Sequence, residues 1–192
     1  MTAWIKMLSD AEAGPELKAE LDHARTPHGT VDNVMRVHSL RPATMAGHVA
    51  LYRAALHNDA NTLPGWLSEM VASYVSALND CAYSFANHFA TAMHLMEGDA
   101  DGAAIEAAFR ARRPGDVFSG APLALMHYAE KLTVAPGAME ESDVTALRAA
   151  GFDDGEILEA NQVIGYFNYA NRLLNGLGVT TQGDIVGYYS AT

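Results

Sequence analysis

Cys81 is the only cysteine of the chain; Ser84 follows it by three residues and His88 by seven, while Glu69 precedes it by twelve. A thiol, a hydroxyl, an imidazole and a carboxylate are the parts of a nucleophile with its proton relay. The imidazole takes the thiol proton, directly or through water, and the carboxylate orients the imidazole. Continued at about 100° per residue, a helix through 81–88 brings Cys81, Ser84 and His88 onto one face. Asn79 and Asp80 both suit a helix N-cap. With Asp80 as cap, Cys81 is the first helical residue, where unpaired amides and the positive end of the dipole favour a thiolate. Glu69 belongs to a preceding segment in which Met70, Val71, Tyr74, Val75 and Leu78 recur at spacings of three and four. It joins the other three only if that helix folds back alongside. Taken singly, each residue also has a plain structural role: a lone Cys as a small core residue, His88 as an internally bonded histidine, and Glu69 as a charge that offsets a helix dipole.

The elements that must position these groups are all helical. A short helix is expected between Trp4 and Leu21, with Ser9 and Asp10 as capping candidates. The stretch 22–33 reads as a loop broken by Pro27, Gly29 and Asn33. Pro42 at the first position opens a helix that presents Met45, Val49, Tyr52 and Leu56 on one side. Thr62-Leu63-Pro64 opens the Glu69 helix, with Thr62 or Leu63 as cap. The Cys81 helix is expected to run to about Met96 and to close at Gly98-Asp99. Further helices are read at Asp101–Arg113, from Pro122 onward (Leu125, Tyr128, Ala129 and Leu132 inward), and at Glu141–Ala150, with Gly151 as a left-handed terminator. Asp153 and Glu156 form a capping box for a last long helix, Glu156–Asn175, that Gly176 ends. Its Tyr166, Phe167 and Tyr169 read as core or subunit interface. The tail, 181–192, is expected to order only by packing. Period-two alternation never persists, so the fold class is all-α, about eight helices in a single domain, 1–192, with the motif-bearing core at about 42–113.

Composition excludes several functions. A net charge of −11 repels phosphate backbones, so no nucleic-acid groove is expected. No run of about 18 apolar residues is present and the N-terminus lacks a signal-peptide core, which points away from a membrane and to the cytoplasm. One cysteine rules out an intramolecular disulfide and a cysteine-rich metal site. His88 and His94 are six apart and face differently, whereas helical zinc pairs use a spacing of four; His38, His48, His57 and His127 fall on four segments, and His23 and His28 sit in the loop. No metal and no cofactor is expected, since Gly176–Gly178 follows a helix where a dinucleotide loop needs a strand before it.

The spacing Glu69-(x11)-Cys81-x-Tyr83-Ser84-(x3)-His88 resembles the motif of the alkylhydroperoxidase D-like (AhpD-like) proteins of the carboxymuconolactone decarboxylase superfamily: Glu, eleven residues, Cys-x-x-Cys, three residues, His. The segments VDNVMRVHSLRPATMAGHVALYRAAL (31–56), EMVASYVSALNDCAYS (69–84), MHYAEKLTVAPGAM (126–139) and ALRAAGFDDGEILEANQVIGYFNYANRLLNGLGV (146–179) are similar to its peroxidase-related subgroup. The resemblance implies an AhpD-like helical fold and homo-oligomers (dimers, trimers or hexamers). It casts Glu69 and His88 as the proton relay and Cys81 as the first cysteine of the pair. Ser84 stands where the second cysteine, the one most often assigned to attack peroxide, is expected, so the two-cysteine cycle is closed to this chain. Three accounts of the serine stand: Cys81 acts alone, its sulfenate resolved by an external thiol or redox protein; the site serves another activity or binding only; or the serine is an introduced change.

Three functions follow as expectations. The first is a one-cysteine peroxidase that reduces a hydroperoxide or other small substrate, with Ser84 donating to the thiolate. The second is a non-catalytic oligomeric binding protein, and the third a lactone or decarboxylase-type acid–base enzyme run by His88 and Glu69.

Overall fold

Helix α4, Gly65–Leu78, has Glu69 as its sole charged residue and buries eleven of its fourteen residues. A helix apolar on every side must lie inside the molecule, and α4 packs against α3, α5, α6, α7 and α9. Its serines survive burial because Ser73 and Ser76 donate to the carbonyls of Glu69 and Ala72, both at 2.7 Å. Around it the computed structural model, which describes residues 2–96, 98 and 100–187, arranges α1 (Pro15–His23), α2 (Asn33–Arg36), α3 (Pro42–Leu56), α5 (Ala82–Leu95), α6 (Gly102–Arg110), α7 (Gly120–Val134), α8 (Glu141–Ala149) and α9 (Asp154–Leu177). Among the described residues there are nine α-helices, three short 3-10 turns and no strand. Among the described residues no helix is long and apolar enough to cross a membrane.

The α4–α5 hairpin is made by a reversal that the capping argument misassigned. Asp80 does not cap α5. It takes a left-handed conformation, φ 51°, which Asp tolerates better than most residues. Its N–H bonds the carbonyl of Ala77 and the Cys81 N–H bonds that of Ser76 at 2.9 Å, the paired bonds of a Schellman C-terminus. Cys81, with extended backbone (φ −95°, ψ 92°), is therefore the N-cap of α5 and not its first residue. The tight reversal lays α5 back along α4 and brings residue 88 opposite residue 69.

Other boundaries moved for similar reasons. Asp10–Glu12 is a 3-10 turn capped by Ser9 ahead of α1, so the opening is two pieces. Within 22–33, α1 continues to His23 and Asn33 starts α2. Pro64 is itself the N-cap of α4, and the N–H groups of Thr62 and Leu63 bond the Glu159 carboxylate at 2.7–3.0 Å. Helix α6 stops at Arg110 because Arg112 turns left-handed, φ 54°. Helix α7 begins at Gly120, after Ser119. Helix α9 runs through Gly176 to Leu177 and is closed by Gly178, φ 60°. Gly151 (φ 105°) and the Asp153–Glu156 capping box are as read. Helix α5 ends at Leu95 with Met96 as C-cap; Asp99 and residues 188–192 of the tail lie outside the described residues. The tail up to 187 packs against α2, where the Asn33 side-chain amide donates to the carbonyls of Thr180 and Gln182.

Candidate active site

Glu69 lies one turn into α4 and is 4% exposed. It meets His88 from α5: Nδ1 lies 2.7 Å from Glu69 Oε2. With that carboxylate oxygen accepting from Nδ1–H, the imidazole is held in one tautomer and its Nε2 is left for another partner. The ring is braced edge-on by Phe167 of α9, centroids 4.5 Å apart at 80°. Three helices thus fix one imidazole.

The pair opens on a cavity of about 380 Å³. One wall is aromatic, formed by Tyr52, Tyr83, Tyr166 and Phe167, and polar groups enter from α5 through Ser84, Asn87, His88 and Thr91. Asn87 and Thr91 spend their donors on helix carbonyls, those of Tyr83 and Asn87. The arrangement suits a small, largely apolar molecule that carries one or two hydrogen-bonding groups. His57, at the end of α3, stands at the exposed rim.

Cys81 is placed differently from the expectation. Among the described residues that line the cavity Ser84 and His88 are present and Cys81 is not. Its side chain is 1% exposed and packs in a second cluster with Ala3, Val37, Leu174 and Val179. The thiol is pushed up from its ordinary value, chiefly by burial; hydrogen bonds from the Ser84 N–H and hydroxyl and from the Tyr83 N–H pull the other way without winning. A helix N-terminus therefore does not make this thiol acidic, because desolvation of the charged form outweighs the amides. The common face holds for Ser84 and His88, four apart, while Cys81, one turn earlier in the cap, turns into the core beneath Ser84.

At one side of the cavity the tail is pinned to α5. Tyr83 Oη donates to Asp184 at 2.5 Å and accepts from the Val34 N–H at 3.2 Å, and Asp184 also accepts from the Asn33 N–H. Asp32 lines the cavity here with its Oδ1 buried and unbonded. Burial, followed by the charge of Asp184, pushes its carboxyl up to about 6.

Sequence reasoning missed the histidines of the first half. His38 and His48, read as lying on separate segments, meet at 3.2 Å, and His48 bonds Tyr166 of the cavity wall at 2.9 Å. No spacing rule announces this, since His38 sits in the turn before α3 and Tyr166 is 118 residues from His48. His94 and His127 are exposed.

No family model matches the chain, and no curated protein matches it. Solved structures do. An uncharacterised peroxidase-related protein with an alkylhydroperoxidase AhpD core from Ralstonia eutropha JMP134 is 20% identical, with TM-score 0.82 over 96% of this chain and 94% of that one. A peroxidase-related protein from Silicibacter sp. TM1040 is 22% identical, with TM-score 0.79 over 95% and 93%. The debrominase Bmp8, as a cysteine-to-alanine variant in complex with 2,3,4-tribromopyrrole, is 16% identical, with TM-score 0.71 over 95% and 94%. The chain has the AhpD-like helical fold.

Proposed function

We propose that the chain is an enzyme that moves a proton on a small molecule held in the α4–α5–α9 cavity, with His88 Nε2 as the exchanging atom. The observation that carries this reading is the buried Glu69–His88 pair, 2.7 Å apart and facing a cavity. In the step, Nε2 takes a proton from an acidic O–H or C–H of the substrate and later returns it. The Glu69 carboxylate offsets the positive charge on the imidazole in between. Burial strengthens that electrostatic help relative to water. Ser84 supplies a hydroxyl to orient the substrate.

A second reading makes the same centre redox. It is favoured by the three hydrogen bonds that Cys81 accepts from Ser84 and Tyr83. Here the Cys81 thiolate attacks one oxygen of a hydroperoxide. The O–O bond breaks, Cys81 becomes a sulfenic acid, and the alkoxide leaves as the alcohol with the proton that His88 took from the thiol. An external thiol or redox protein then reduces the sulfenic acid to the thiol with release of water. The chain must open at Ser84 for this, because Cys81 lies outside the cavity lining. The fold neighbours give the first substrates to try: hydroperoxides, and small halogenated heteroaromatics such as the tribromopyrrole held by the debrominase. Homo-oligomerisation belongs to the same proposal and is read by light scattering on the eluting protein.

Turnover of hydroperoxides with added thiol, halogenated pyrroles and small lactones by the native protein and by Cys81→Ala decides between the two. The proton-transfer reading expects activity to survive Cys81→Ala. Loss of all turnover in that variant, with dimedone trapping Cys81 in the native protein by intact mass, selects the redox reading.

A further inference from the structure

The groups behind the cavity wall have hydrogen bonds whose directions all follow from one assignment, that of the Thr44 hydroxyl. Thr44 Oγ1 gives its one proton to the Arg41 carbonyl at 2.8 Å, so towards His38 Nδ1, 2.9 Å away, it accepts. His38 therefore carries its proton on Nδ1, and its Nε2 accepts. His48 Nδ1, 3.2 Å from that nitrogen, is the donor. His48 Nε2 in turn accepts from Tyr166 Oη–H at 2.9 Å. His48, Tyr166 and His38 are 2%, 4% and 6% exposed, whereas Thr44 is at the surface. Tyr166 lines the cavity. An unbroken file of hydroxyl, imidazole, imidazole and phenol thus joins the cavity wall to the surface, with the phenol and both imidazole donors pointing outward and the Thr44 proton on the Arg41 carbonyl.

We infer that Tyr166, His48, His38 and Thr44 form a proton path between the cavity and the surface, separate from the Glu69–His88 pair. In the outward step Tyr166 oxygen takes a proton from the cavity and passes its own to His48 Nε2. The Nδ1 proton of His48 moves to His38 Nε2, that of His38 moves to Thr44, and the exposed Thr44 hydroxyl leaves the Arg41 carbonyl to pass its proton to water. Each group ends neutral, one proton has crossed, and both imidazoles hold the opposite tautomer. Every donor then points inward, so the next passage delivers a proton to the cavity and restores the starting state without a ring flip. A reaction that releases a proton in one half of its cycle and takes one up in the other fits this alternation. Burial supports the neutral file: it lowers His38 and, with the charge of His38 second, holds His48 down at about 4.

The inference serves the proton-transfer reading, but its test needs no substrate, so the two fail separately. On the ¹⁵N-labelled protein, long-range ¹H–¹⁵N spectra give the tautomers, and exchange with water gives the traffic. Both histidines are expected as Nδ1–H. The buried His48 Nδ1–H is expected to exchange with water faster than the backbone amide of its neighbour Val49. Thr44→Val is expected to slow that exchange by an order of magnitude, and Thr44→Ser, which keeps the hydroxyl, to leave it at the native rate. A purely structural brace between α3 and α9 gives the tautomers without the exchange. An Nε2–H tautomer at either histidine, His48 exchange no faster than Val49, or equal rates in Thr44→Val and Thr44→Ser overturns the inference.

Discussion

His88→Ala should cost far more stability than an exposed substitution, and a second change should return part of the loss. The imidazole gives Glu69 a hydrogen bond at 2.7 Å, and the two side chains are 16% and 6% exposed. Deleting a bond to a charged group costs about 1.5–3 kcal/mol, and the lost edge contact with Phe167 adds about 0.5–1.5 kcal/mol. The sum is about 2–4.5 kcal/mol, which at about 2–4 °C per kcal/mol for a chain of this length lowers Tm by roughly 4–18 °C. Much of that loss is the penalty of leaving the carboxylate buried without its partner. Glu69→Gln in the same background removes the stranded charge and should return about 1 kcal/mol or more. Urea unfolding followed by circular dichroism, on the native chain, both single variants and the double, measures each term as a cycle. The reasoning is refuted if His88→Ala lies within about 0.5 kcal/mol of native, or if the double variant is no more stable than His88→Ala.

Ser84→Cys puts a second sulfur beside Cys81, at the side chain whose hydroxyl already bonds the Cys81 sulfur from the first turn of α5. Mild oxidation followed by thiol counting should show a bridge between Cys81 and the introduced sulfur; two thiols that stay reduced would contradict the geometry. Asp32 titrates near 6 in the folded chain against an ordinary 3.8. Between those values the folded state holds the extra proton, so this residue's contribution to stability falls as pH rises through that window. Asp32→Asn should therefore add on the order of 1–3 kcal/mol at pH 7 and almost nothing at pH 4; equal gains at both pH values would count against it. Gly178→Ala forces a Cβ to 2.2 Å from the Trp4 ring at a left-handed residue. It should cost about 1–2 kcal/mol and shift tryptophan emission as Trp4 moves, whereas an unchanged emission maximum would show that the ring does not sit there.

The helices were legible because their apolar residues recur at helical spacing and Pro42, Gly151 and the Asp153–Glu156 box punctuate them. The site was half legible. The spacing named Glu69 and His88, and the fold puts them in contact because a Schellman turn folds α5 back on α4. The same turn defeated the reading of Cys81: local capping preference gave the cap to Asp80, and the sulfur, one position off, fell beneath Ser84 into a core built from Ala3, Val37, Leu174 and Val179. Those partners come from both ends of the chain, so no local pattern holds them. The His38–His48–Tyr166 contacts are illegible for the same reason.

The most direct measurement is the rate of His88→Ala and of Glu69→Gln on whichever substrate the native protein turns over. A positioned acid–base group contributes about 10²–10⁴ in rate, so His88→Ala should fall by that factor while Glu69→Gln, which keeps the shape but not the charge, falls less. Native turnover in His88→Ala would place the chemistry elsewhere in the molecule and contradict the account.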